Sequence, residues 1–477
     1  HSIALGENAE LAQSAAVAMV ENAASQPATP SVLDRKREAL VGVGLGKGDP
    51  DAVARAFIES HCAGVGDPFP VPVVRAAMAA RANVLATART GCRPQAAHVL
   101  LAMLRSGVHP VVPSQGSVGA AGDLAPLAHI ARVACGYLGP QRGVPEFRPT
   151  PKEALSLING ATVTAALAAL AVVRARRVLE AALEACALTM EVVQADAGCI
   201  DGRALEARGH PGALWAAQGL RERLTGSTQV VAGREPDAFS IRCAPTVLGV
   251  VHDALEHVEQ IVERELNGAC DNPWLFDGAW EDAGNFHGAP VALAMDHLKM
   301  ALAQLATQSE RRTFRLTHGQ LSRGLPSYLV PGTGLNSGFM LAQYTAASLA
   351  SECKGLAHPA SVDSIPTVQH HEDHVSMGPI AARGALETLE CVADIVGIEA
   401  LLASQALDLR MQGRAWDRDG QPMKGEVVVP APGIARIWER VRTVVPFWED
   451  DELLHPALRA TGALVRGGRL SGQVGGW

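Results

Sequence analysis

Aromatic side chains are scarce in this chain, at 4% of 477 residues with only three tyrosines. A core of this size built without rings, and with very heavy alanine use, favours long, closely packed helices over a sheet. No Cys-x-x-Cys pair is present among the nine cysteines, and their odd number and scattered positions argue against a disulfide framework or a zinc site. Small thiols in a reducing cytoplasm are expected instead. No block of basic residues is present and the net charge is −8, so neither nucleic acid nor an anionic membrane is expected as a partner. The most apolar stretch, Ala161 to Val173, is closed by Arg174, Arg176 and Arg177, well short of the roughly 20 residues that span a bilayer. His1-Ser2-Ile3 shows neither an initiating methionine nor a signal-peptide pattern, and is read as the end of an expression tag.

What is abundant is helical periodicity. Ala161 to about Ala197 holds leucine, valine and alanine at helical spacing with one glycine-free, proline-free run, which predicts a single helix of about ten turns. Similar patterns run over His252–Leu266, Val291–Phe314, Ser337–Leu356 and Pro379–Met411. Several are two to three times the usual length of about 11–12 residues, so the fold class is all-α with a long central bundle whose flanks are covered by other subunits. Three regions are expected: residues 1–150, a central long-helix region at 151–411, and 412–477 as a linker with a C-terminal helical cap. Glycine, proline and polar residues collect at 116–126, 233–245, 267–288, 324–334 and 358–374, where chemistry is expected to lie.

The segment Gly116-Ser117-Val118-Gly119-Ala120-Ala121-Gly122-Asp123-Leu124-Ala125-Pro126 resembles the signature of the histidine and phenylalanine (aromatic amino acid) ammonia-lyases. Further landmarks follow in family order: Ser60 to Gly66, Leu157-Ile158-Asn159-Gly160, Asp271-Asn272-Pro273, Gly284-Asn285-Phe286-His287-Gly288, Ser309 to Arg312, Leu335 to Met340, and Glu372 to Gly378. The resemblance covers about residues 3–470. It implies the ammonia-lyase (fumarase/aspartase-like) helical bundle, a homotetramer, and active sites assembled from three subunits. It also implies a methylidene-imidazolone (MIO) group, formed in the family by cyclisation and dehydration of an Ala-Ser-Gly triplet.

The triplet here is Ala120-Ala121-Gly122, and alanine has no β-hydroxyl to lose. The expectation is therefore that MIO does not form and that no cofactor is used. Two further departures align with it. Val41 stands where the family's N-terminal catalytic loop carries a tyrosine base, and Phe239 replaces a second tyrosine in Pro236-Asp237-Ala238-Phe239-Ser240-Ile241-Arg242. His370-His371-Glu372 also replaces the family's Asn-Gln-Glu, bringing imidazole where an amide belongs.

The resemblance assigns Arg242 to the substrate carboxylate, which suits its planar fork; an ion pair with a neighbouring acid is the alternative. Asn159, Asn285 and His61 match positions beside cofactor or substrate, although Asn-Gly contexts and a histidine at a helix end also make turns and caps. Phe239 and Phe286 would line a pocket or fill core. Glu372 and His371 are the candidate acid–base pair. His370 and His374 at i, i+4 form too weak a pattern for a metal without a third ligand. Together these departures lead to the expectation of an MIO-less enzyme of lyase or isomerase type, performing acid–base isomerisation, cyclisation or addition/elimination on a small carboxylate-bearing metabolite in biosynthetic secondary metabolism. The alternatives are a catalytically inactive homologue that binds a ligand or joins a mixed oligomer, and an ammonia-lyase engineered from serine to alanine.

Overall fold

The computed structural model describes residues 49–472 except 278 and 333. Val41 falls outside these residues. The chain forms two compact units, one holding the residues up to Val173 with Val258–Asp296 and Pro359–Gly384, the other holding Arg174–His257, His297–His358 and the residues from Ala385 onward.

The fold is the helical bundle that the periodicity predicts. Its longest helices span Thr162–Val192, Ala244–Asn267, Ala289–Thr317, Met340–Leu356 and Gly378–Met411. Thr162–Val192 keeps alanines at 165, 166, 168, 171 and 175 at or below 1% exposure, so neighbouring backbones can approach closely where larger side chains would hold them apart. It ends earlier than its glycine-free sequence implies because Gln194 takes φ +54° and a short 3₁₀ turn follows at Ala197–Ile200. Among the described residues strand is confined to three two-stranded antiparallel sheets, two of them hairpins. One of them, Arg414–Trp416 against Pro422–Lys424, occupies the expected linker. Its turn is closed by Asp417, whose amide donates to Gln421 O at 3.0 Å and whose carbonyl accepts from Gly420.

A short helix, Pro151–Ile158, sets up the region of interest. Proline at its first turn and a reciprocal capping box between Thr150 and Glu153 fix its start, and Arg93 clamps the Glu153 carboxylate with Nε at 2.8 Å and Nη2 at 2.7 Å. Its C-cap is Asn159. Among the described residues, no helix is long and apolar enough to cross a membrane.

Candidate active site

The 119–122 turn is gripped within the first unit from two sides. Gly160 lies across it, its amide donating to Ala121 O at 3.0 Å while its carbonyl accepts from the Asp123 amide at 2.9 Å. From the other side the Met377 amide donates to Val118 O at 2.9 Å, and Ser376 Oγ donates to Gly119 O at 3.2 Å. Gly122 at φ +86° approaches Gly160 so closely that a Cβ would lie 2.2 Å from Gly160 C. Only glycine fits there.

Asp123 is fully buried at the start of the next helix and accepts from Thr164 N at 2.6 Å and Thr164 Oγ1 at 2.9 Å. Desolvation outweighs these bonds and lifts its pKa to about 6. The folded state thus holds this proton more tightly than the unfolded chain, so the stabilisation is complete below the ordinary carboxylate range and is lost as pH rises through about 6. Replacing Asp123 with asparagine removes the dependence. The variant is expected to gain about 3 kcal/mol relative to the parent between about pH 4 and about pH 8, measured by denaturant unfolding at both; a constant difference would contradict the assignment.

Asn159, next to Gly160, is buried, and among the described residues its Oδ1 has no hydrogen-bond partner. Glu372 is half-buried and its Oε2 accepts from Thr367 Oγ1 at 2.7 Å. The two residues also form an isolated antiparallel bridge. Between them Val368, Gln369 and His370 all have positive φ, at 44°, 52° and 68°, a tight left-handed loop that leaves His371 exposed. His370 and His374 therefore do not share a helical face. Asn285 is exposed and Phe286 half-buried in a loop whose His287 stacks on His374 at 5.5 Å and approaches His374 O with Nε2 at 3.2 Å. Since Ser376 follows, one segment carries both the Asn285 loop and the support of the turn.

His61 ends the Pro50–His61 helix with Nδ1 2.7 Å from Phe57 O. Donation to that carbonyl assigns Nε2 as the acceptor in the neutral ring. In the second unit, Phe239 and Arg242 share the Phe239–Arg242 helix. Phe239 is 74% exposed and so fills no core among the described residues, and Arg242 is exposed with no acidic partner among them. This helix is anchored from below by Arg312 Nη1, which donates to Ser240 O at 3.2 Å. Ser376, Thr367 and Asp123 were not foreseen as parts of the site; Asp123, directly after the triplet, and Ser376, within the Glu372–Gly378 landmark, carried a sequence signal, whereas Thr367 carried none.

The backbone of this turn fits a ring made from residues 120–122, since it is framed by the buried Gly119 and Gly122, half-buried at Ala120 and Ala121, and held at Ala121 O by Gly160, which follows Asn159. The side chain at 121 supplies a methyl where the dehydration that makes the exocyclic methylene would need a hydroxyl as leaving group.

Comparison with known proteins places the arrangement. Residues 39–428 match the family described as aromatic amino acid lyase. The chain is 42% identical to a histidine ammonia-lyase from Caldanaerobacter subterraneus, covering 89% of this chain and 84% of the relative. It is 44% identical to one from Gloeobacter violaceus over 86% and 84% of the two chains. Among solved structures, histidine ammonia-lyase from Trypanosoma cruzi superposes with a TM-score of 0.82 at 34% identity, covering 98% of this chain and 92% of that one. A tyrosine aminomutase from Streptomyces globisporus gives 0.84 at 29% identity, over 98% and 96%.

Two expectations are corrected by these relatives. An MIO-less chemistry and the absence of a cofactor were inferred from Ala121, Val41 and Phe239, three positions weighed against the rest of the chain. Identity above 40% to relatives of an MIO-dependent type, over most of both chains, supports a typical ammonia-lyase instead. The chain belongs to the aromatic amino acid lyase family.

Proposed function

We propose that the protein is built as an ammonia-lyase of the histidine type, which splits a small α-amino carboxylate, histidine foremost, into ammonia and an α,β-unsaturated acid. The observation that carries this reading is the identity of 42–44% to histidine ammonia-lyases together with an intact frame around residues 119–122. MIO, when bound, supplies an electron-poor exocyclic carbon, and residue 121 is the position on which its assembly turns. The remaining roles fall to side chains of this chain. Arg242, exposed and free of a local acid, binds the substrate carboxylate through its guanidinium fork. Asn285, His61, Phe239, Phe286 and Asn159, which is buried next to Gly160, line the substrate. The β-proton falls to Glu372, held by Thr367, with His371 as the exposed partner that exchanges it with water. Val41, matched in sequence to the family's N-terminal catalytic loop, lies outside the described residues.

The proposal extends to a homotetramer with sites shared between subunits, which agrees with exposed Leu293, Met300, Leu341 and Tyr344 on long helices. Nine cysteines without a disulfide among the described residues suit the cytoplasm.

The test is Ala121→Ser, assayed for ammonia release from histidine, phenylalanine and tyrosine. Histidine is expected to be turned over at least about a hundredfold faster than by the parent, or ~3 kcal/mol of barrier. A folded serine variant that releases no ammonia from any of the three would overturn the reading.

A further inference from the structure

Arg81 is 1% exposed, within the Val71–Ala86 helix. Among the described residues no carboxylate pairs with it, and its Nε and Nη2 are buried without a hydrogen-bond partner. Burying a guanidinium without a counter-charge costs several kcal/mol, and an ordinary core position would carry an aliphatic side chain. What Arg81 does make is local. Nη1 donates both to Asn159 O and to Cys270 O, the latter at 3.1 Å, so its two hydrogens are spent on carbonyls from segments more than 100 residues apart.

Both carbonyls flank Gly160. A Cβ on that residue would stand 2.2 Å from Cys270 O and 2.9 Å from Arg81 Nη1, and Cys270 Sγ accepts from the next amide, Ala161 N, at 3.0 Å. Gly160 is in turn the residue that grips Ala121 O and the Asp123 amide. A continuous set of contacts therefore runs from Arg81 through Asn159 and Cys270 to Gly160 and onto the turn. Asn83, two residues along the same helix, donates instead to Leu266 O at 2.7 Å and makes no bond to the turn.

We propose that Arg81 is a positioning residue: it clamps the 159–160 backbone onto residues 121–123 and holds the turn in the shape that ring closure requires. The clamp stands on geometry alone, whereas its consequence for ring closure rests on the ammonia-lyase reading.

Hydrogen exchange on the full chain, read by mass spectrometry on peptides spanning 119–124 and 158–162, tests the clamp. In Arg81→Met, exchange at these two segments is expected to rise about tenfold, while the interior of Thr162–Val192 stays near its parental rate. Arg81→Lys, whose ammonium can still donate to both carbonyls, is expected to restore most of the protection. Asn83→Ala serves as the comparison that loosens the helix without touching the turn. Unchanged protection in Arg81→Met, or a rise spread evenly over the long helix, would overturn the proposal. If Arg81→Met does not fold, Arg81→Lys decides: parental protection at 158–162 supports the clamp, and selective loss there despite a retained donor contradicts it. A second arm adds each Arg81 variant to Ala121→Ser and reads the mass deficit of two waters. Loss of the deficit with methionine and its return with lysine is expected. Absence of the deficit in Ala121→Ser alone counts against the ammonia-lyase reading, with the clamp then judged by exchange.

Discussion

Glu399→Ala is expected to destabilise the protein by about 3–5 kcal/mol, because it leaves a fully buried guanidinium without its counter-charge. Arg312 and Glu399 are both 0% exposed, bonded at 2.5 Å through Nε and 2.8 Å through Nη2. Thr189 Oγ1 and Ser309 Oγ complete the carboxylate at 2.8 Å and 2.6 Å. Every strong acceptor site is filled, so truncation strands two hydroxyl donors as well as the charged guanidinium. The effect reaches function because Arg312 also holds Ser240 O, beneath the helix that presents Arg242. Denaturant unfolding measures the loss. A joint replacement, Arg312→Met with Glu399→Leu, is expected to recover most of it, and a single-variant loss below about 1 kcal/mol would show that the pair is not buried as described.

Gly160→Ala is expected to cost about 3 kcal/mol or more and to open the turn. The residue sits at φ +105°, a conformation that an alanine adopts only under strain, and the added methyl would meet a backbone carbonyl that cannot rotate away. Gly107→Ala separates the two contributions, since Gly107 has φ +68° with nothing within 4 Å. Strain alone predicts about 1 kcal/mol there. Equal losses at the two positions, measured by denaturant unfolding, would mean that the close approach of Gly160 to Cys270 contributes nothing.

The fold was legible in the sequence where periodicity is long and uninterrupted. The Gly378–Met411 and Met340–Leu356 helices fall within one to three residues of the expected ranges, since burial of one helical face leaves a pattern that is local along the chain. The 414–424 hairpin was missed although Asp419-Gly420 is a hairpin-turn signal, because its strands are only three residues each and Pro422 weakens the pattern. Gln194 ends its helix by a left-handed backbone that nothing in its residue type announces.

For the site, motif resemblance supplied Asn159, Arg242 and Glu372, but not what holds them. Thr367 meets Glu372 only through a loop of three left-handed residues, and Arg81 reaches Asn159 and Cys270 across 78 and 189 residues; such contacts arise from tertiary packing and leave no spacing to read. The inference from Ala121 failed for a related reason. A single side chain reports the atoms present at one point, whereas the frame around residues 119–122 is built by Gly160, Ser376 and Met377 from elsewhere in the chain.

The central claim is that this frame is the one in which an ammonia-lyase closes its ring, with residue 121 as the missing hydroxyl. Mass spectrometry of the peptide containing residues 116–130 from Ala121→Ser tests it most directly. The expected result is a peptide lighter than its sequence by two waters; a full-length serine peptide of unreduced mass, from a variant that folds as the parent does, would contradict it.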